Sequence, residues 1–91
     1  MTTVDAVCRD RYGLHPRAAL AIQQAAGRYR SRIVIEAAVG TGAATEATSM
    51  LGLVGAGVGP GERVRVSADG PDEAEAARAI GDLLDRGVCH P

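Results

Sequence analysis

Val4, Ala6 and Cys8 fall at alternate positions near the start of the chain, so residues 4–8 read as a strand with one apolar face. The pattern then changes period. Ala18, Ala21, Ile22, Ala25, Ala26 and Tyr29 recur at helical spacing, which predicts an amphipathic helix over residues 16–28. Alanine dominates that segment and favours the helix intrinsically, Pro16 suits its first position, and Gly27 marks its end. Residues 32–37 are rich in β-branched side chains and predict a second strand with Ile33 and Ile35 inward. Gly40-Thr41-Gly42 reads as a turn into a weak third strand at residues 43–47, forming a hairpin.

Ser49 stands where the N-cap of a short helix through Val54 belongs, with Gly55 and Gly57 closing it. Val64 and Val66 alternate with Arg63, Arg65 and Ser67, making residues 62–68 the clearest half-buried strand. The last helix is predicted to start at Pro71, with Asp72 and Glu73 in its first turn and Gly87 as its cap. Ala74, Ala77, Ile80 and Leu84 form its expected buried stripe. The order is β-α-β-β-α-β-α. An α+β fold follows, with an antiparallel sheet carrying its helices on one face and solvent on the other.

Ninety-one residues make one domain, residues 1–91, with one modest core. The formal charge of −1 argues against nucleic-acid binding by bulk electrostatics, and the apolar stretches are too short for membrane insertion. The start of the chain lacks the basic and apolar regions of a signal peptide, so a cytoplasmic protein is expected. Charge is unevenly placed along the chain. Arginines 9, 11, 17, 28, 30 and 32 meet the single acid Asp10, whereas residues 69–86 are mainly acidic. A basic rim around the first helix suits an anion or an acidic partner. Two cysteines, Cys8 and Cys89, cannot make a disulfide framework, and without a C-x-x-C pair no metal site is expected. A buried Cys8 is the expected outcome.

Chemistry concentrates at Gly13-Leu14-His15-Pro16-Arg17-Ala18-Ala19. A helix start presents unpaired N–H groups and the positive end of the helix dipole. Arg17 adds a permanent charge with fork geometry, and His15 is the nearby group able to act as a nucleophile near neutral pH. The arrangement suits capture of a small anion. A surface histidine capping a helix is the plainer alternative for His15 alone.

Three segments together carry a resemblance: Gly13-Leu14-His15-x-Arg17, Ala47-Thr48-Ser49-Met50-Leu51-Gly52-Leu53 and Val66-Ser67-Ala68-Asp69-Gly70. The sequence resembles HPr, the histidine-containing phosphocarrier family of the bacterial phosphoenolpyruvate-dependent phosphotransferase system. That resemblance implies an open-faced β-sandwich, a four-stranded antiparallel sheet with three helices on one face. It implies a carrier with a phosphohistidine intermediate rather than a turnover enzyme, needing no cofactor. His15 would take the phosphoryl group from enzyme I and pass it to an enzyme IIA domain in sugar uptake, with Arg17 stabilising the phosphate. Leu20, Gln24, Met50, Leu51 and Val54 would form the partner-binding patch; Met50 and Leu20 are expected to be its exposed members. Ser49 would match a serine phosphorylated by a kinase in many Gram-positive relatives, although an N-cap role explains it fully. A monomer is the family expectation.

Two departures from the family pattern stand out. The proline expected after the arginine has moved two places, giving His15-Pro16-Arg17-Ala18, so one backbone donor is missing beside the histidine. Tyr12 stands where the family commonly has a small polar residue. Residues 39–42 and 85–88 resemble a nitrogen-related paralogue. A carrier of that system or of a dihydroxyacetone kinase system therefore remains an alternative, as does a regulatory HPr-like domain that transfers nothing.

Overall fold

The computed structural model describes residues 1–10, 12–37, 44–55 and 58–87. The elements are β1 (Thr2–Val7), α1 (Pro16–Ala26), β2 (Arg32–Ala37), β3 (Ala44–Glu46), α2 (Met50–Gly55), β4 (Arg63–Asp69) and α3 (Glu73–Arg86). The four strands form one antiparallel sheet in the order β1-β4-β2-β3. Period-two alternation decides which face is buried. Val64, Val66 and Ala68 of β4 and Ile33, Ile35 and Ala37 of β2 point to the core, while Arg63 and Arg65 face solvent. The helices cover the core face, and the other face stays open.

α3 lies over β1 and β4, and α1 packs against both α2 and α3. Fully buried Ile22, Ile35, Leu53, Ile80 and Leu84 meet in the core between these layers. Small side chains fill the rest, so the layers approach closely. A Cβ built on Gly81 would lie 3.0 Å from Val4 Cγ2 on the strand beneath. Residue 8 continues the β1 path beyond its last ladder residue: the Cys8 N–H bonds Glu62 O at 2.9 Å, and Cys8 O accepts from Gly61 N–H at 2.7 Å. Cys8 is buried as expected, and burial pushes its thiol up from the ordinary cysteine value.

Three sequence expectations shift. The expected helix start at Pro71 moves to Glu73, because Pro71 and Asp72 form a turn and Asp72 takes the N-cap position. The Asp72 carboxylate does not cap its own helix; it accepts from Arg30 N–H and Ser31 N–H, each at 2.9 Å, and from the Ser31 hydroxyl. Ala74 is exposed, and the buried stripe of α3 runs through Ala76, Ala77, Ile80, Gly81 and Leu84. Among the described residues the weak third strand is Ala44–Glu46, ending one residue before the expected Ala47, although Ala47 N–H still reaches Ile33 O at 2.9 Å. The expected turn at Gly40–Gly42 lies outside the described residues, as do Gly57, Cys89 and His90.

The Asp72 contacts make stability depend on pH. The Ser31 hydroxyl bond, with the N–H of Arg30 next, holds the Asp72 carboxyl below the ordinary aspartate value. A depressed folded-state pKa gives stability that is present above the unfolded value and lost as pH falls through the folded one. Asp72→Asn should therefore lower the melting temperature at neutral pH. The gap to the unsubstituted chain should narrow as pH falls below the ordinary aspartate value of about 3.9 and close as it passes through the lower folded-state one. Thermal melts of both proteins across acid pH check this.

Candidate functional site

Between β1 and α1 the chain makes a tight loop held from beneath. Asp10 is buried, and its carbonyl accepts Gly13 N–H at 3.0 Å, turning the chain back on itself. Leu14 is buried in the core, and its N–H bonds Val58 O at 2.9 Å. Gly13 adopts φ +71, and a Cβ there would sit 2.4 Å from Val58 O. Only glycine lets the loop lie this close to the Val58-Gly59 backbone. That lower segment is itself braced, because the Glu62 carboxylate accepts Gly59 N–H at 3.0 Å. The result is a firm seat for the residue that follows.

That residue is His15, the N-cap of α1, with extended φ −77 and ψ 171. Its carbonyl accepts Ala19 N–H at 2.9 Å, so the backbone caps the helix, but its side chain makes no capping bond. Pro16 fills the first helical position as expected. The next two N–H groups, of Arg17 and Ala18, are donors a helix cannot satisfy within itself. No acidic residue lies in the first turn to offset the positive end of the helix dipole. Arg17 is exposed and forms no ion pair with a described carboxylate. A guanidinium and helix donors thus stand with an uncommitted imidazole, an arrangement able to hold an anion against a nucleophile.

The imidazole is half-buried and asymmetric. Nε2 is shielded from solvent and has no hydrogen-bond partner among the described residues. The Tyr12 ring stands edge-on to the imidazole, centroids 6.0 Å apart and planes at 81°. The sequence marks Tyr12 as a departure from the family pattern and assigns it no role. An aromatic residue three positions before the histidine was the available signal, but its approach depends on the loop path set by Gly13.

The expected docking residues sit on α1 and α2, which pack together. Gln23 Nε2 donates to Thr48 O at 3.1 Å and links α1 to the segment before α2. Leu20 and Gln24 are exposed, as expected for a patch. On α2 the expectation reverses for Met50. Met50 packs against the core, whereas Leu51 is 90% exposed and Val54 42% exposed. Helical spacing explains the reversal: Leu53 is fully buried, Met50 lies three residues before it on the same face, and Leu51 and Val54 share the adjoining, outward flank. Of the residues expected in the docking patch, the exposed apolar members are therefore Leu20, Leu51 and Val54.

Ser49 meets its structural expectation. Its Oγ accepts Gly52 N–H at 3.1 Å, and its carbonyl accepts Leu53 N–H at 2.9 Å, which is N-cap geometry. Ser49→Ala should cost about 1 kcal/mol of stability, while Ser49→Asp, another good N-cap, should keep most of it. Urea denaturation of the three proteins checks this.

A family model described as the PTS HPr component phosphorylation site matches residues 2–86. The chain belongs to the HPr phosphocarrier family. Solved HPr structures agree with the fold above. The HPr-C-His structure from Thermoanaerobacter tengcongensis superposes with a TM-score of 0.83 at 34% identity, covering 92% of this chain and 91% of that one. Crh of Bacillus subtilis, described as a catabolite repression protein in a swapped dimer, gives 0.74 at 30% identity, covering 90% of this chain and 91% of that one. The multiphosphoryl transfer protein of Salmonella typhimurium is 33% identical over 82 residues, covering 90% of this chain. The chain spans 22% of the length of that relative. Two of the similar solved proteins, an HPr of Thermoanaerobacter tengcongensis and Crh, are described as dimers. Among the described residues no helix is long and apolar enough to cross a membrane.

Proposed function

We propose that His15 is the phosphoryl acceptor, taking the group from phospho-enzyme I and yielding it to an enzyme IIA domain in sugar uptake. The observation that carries this reading is the state of the imidazole. It sits at a helix N-terminus, unused as a cap, with one nitrogen shielded. A donor must approach from solvent, so Nδ1 is the accepting atom with the ring in this orientation. The Nδ1 lone pair attacks phosphorus in line, the donor's bond to phosphorus breaks, and an N–P bond forms. Arg17 and the N–H groups of Arg17 and Ala18 hold the phosphoryl oxygens before and after transfer. Pro16 contributes no N–H, which makes the arginine a larger part of the anion site than it would otherwise be.

Transfer in both directions requires partners that dock and leave. Leu20, Gln24, Leu51 and Val54 offer a small exposed surface on α1 and α2 for both enzyme I and enzyme IIA, and Met50 supports it from beneath. Arginines at positions 9, 17 and 28 suit acidic partners. The protein works as a cytoplasmic monomer in this reading. Ser49 acts as a helix cap, and a kinase is not needed to explain it.

The test is incubation with phosphoenolpyruvate and a cognate enzyme I, followed by mass spectrometry at neutral and acid pH. An acid-labile phosphoryl adduct that disappears in His15→Ala is expected. Absence of an adduct with every enzyme I of the host would instead favour a regulatory domain that transfers nothing.

A further inference from the structure

We infer that Tyr12 is a positioning residue that fixes which ring nitrogen of His15 is offered for phosphorylation. The inference rests on the reading of His15 as the acceptor and adds a second residue to it. Two observations support it. No side-chain hydrogen bond among the described residues holds the His15 ring, since its side chain does not cap α1 and Nε2 has no partner. A ring without such a bond can turn about its side-chain torsions unless packing prevents it. The Tyr12 ring makes the T-shaped contact at 6.0 Å that opposes this turning.

The consequence is chemical. Rotating the imidazole by half a turn would carry Nδ1 to the place of Cδ2 and Nε2 to that of Cε1, moving Nδ1 onto the shielded edge of the ring and Nε2 onto the open one. A phosphoryl group placed on Nε2 would point away from the position that the helix N–H groups and Arg17 serve when Nδ1 is modified. Holding the ring edge-on to Tyr12 keeps a single regioisomer and a single phosphate position. Tyr12 performs this without being part of the core: it is 72% exposed, so its removal leaves the buried packing intact.

The experiment uses phosphoramidate, a small donor that needs no enzyme I. Its P–N bond breaks, a new P–N bond forms from the ring lone pair, and the displaced ring proton leaves with ammonia as ammonium. All proteins carry His90→Gln, so that His15 is the one histidine remaining. Phosphorus NMR then reads the ratio of Nε2- to Nδ1-phosphohistidine, with the same chain in denaturant giving the ratio for an unrestrained ring.

The folded parent chain and Tyr12→Phe, which keeps the ring, should both give mainly the Nδ1 product. Tyr12→Ser should raise the Nε2-to-Nδ1 ratio by about three- to tenfold, towards the denatured value. Thermal melts should be unchanged by Tyr12→Ser, which separates ring orientation from folding. An unchanged ratio in Tyr12→Ser would overturn the positioning role, and so would a Tyr12→Phe ratio matching Tyr12→Ser. Failure of enzyme I to phosphorylate His15 would count against the carrier reading instead, because the regioisomer ratio is measured without that enzyme.

Discussion

Arg17→Ala is expected to slow phosphoryl acceptance at His15 by about ten- to a hundredfold. A preorganised donor in a closed catalytic site is worth about 10²–10³ in rate, and the open position of Arg17 reduces that figure. Little in this site can replace the arginine. Pro16 removes one helix donor, leaving the N–H groups of Arg17 and Ala18 alone. Lysine should restore only part of the rate, because it carries the charge without the planar fork. Initial rates of transfer from phospho-enzyme I to the three proteins measure the effect. The fold should not change, since Arg17 is exposed and pairs with no described carboxylate. Equal rates for Arg17→Ala and the unsubstituted chain would mean that the helix end alone holds the phosphate.

The second large effect is on stability. Gly13→Ala meets two penalties at one atom. The left-handed backbone at φ +71 disfavours any side chain by about 1–2 kcal/mol. The added Cβ also lies 2.4 Å from Val58 O, and displacing that contact costs about 1–3 kcal/mol more. The sum, about 2–5 kcal/mol, is a large share of a small domain's stability. Gly61→Ala separates the two contributions. Gly61 has φ +81 but nothing within 4 Å of its would-be Cβ, so it should show the backbone penalty alone. Guanidinium denaturation of both variants gives the difference directly. Gly13→Ala should also weaken phosphoryl acceptance, because relieving the clash moves Leu14 off Val58 O and unseats the adjacent His15.

Local signals made most of this protein readable. The alternation through Val64 and Val66 assigned β4 its faces, because strand period alone decides burial there. The helix start at His15-Pro16-Arg17 is legible because a helix start and its cap are written within a few consecutive residues. The misreadings arose where distant parts of the chain decide. Asp72 looks like a first-turn acid in sequence, yet its carboxylate is occupied by the N–H groups of Arg30 and Ser31, which shifts the helix start. Met50 and Leu51 could not be told apart by hydrophobicity. The rotation of a six-residue helix was settled only by Leu53 entering the core. The Tyr12 contact belongs to the same class, since it needs the loop path that Gly13 and Val58 create together.

The brace beneath His15 has a bearing on how the molecule is made. His15 and Arg17, proposed to carry the phosphoryl chemistry, are synthesised before residues 58–62 that support them, and β1 pairs only with β4 among the described strands. Contacts so distant in sequence form late, after the intervening chain has been synthesised. A nascent chain that has reached only β2 therefore holds His15 in a loop with no seat and an unpaired first strand. Phosphoryl competence and completion of the sheet arrive in one event, so an unfinished chain would not draw phosphoryl groups from the pathway during its own synthesis.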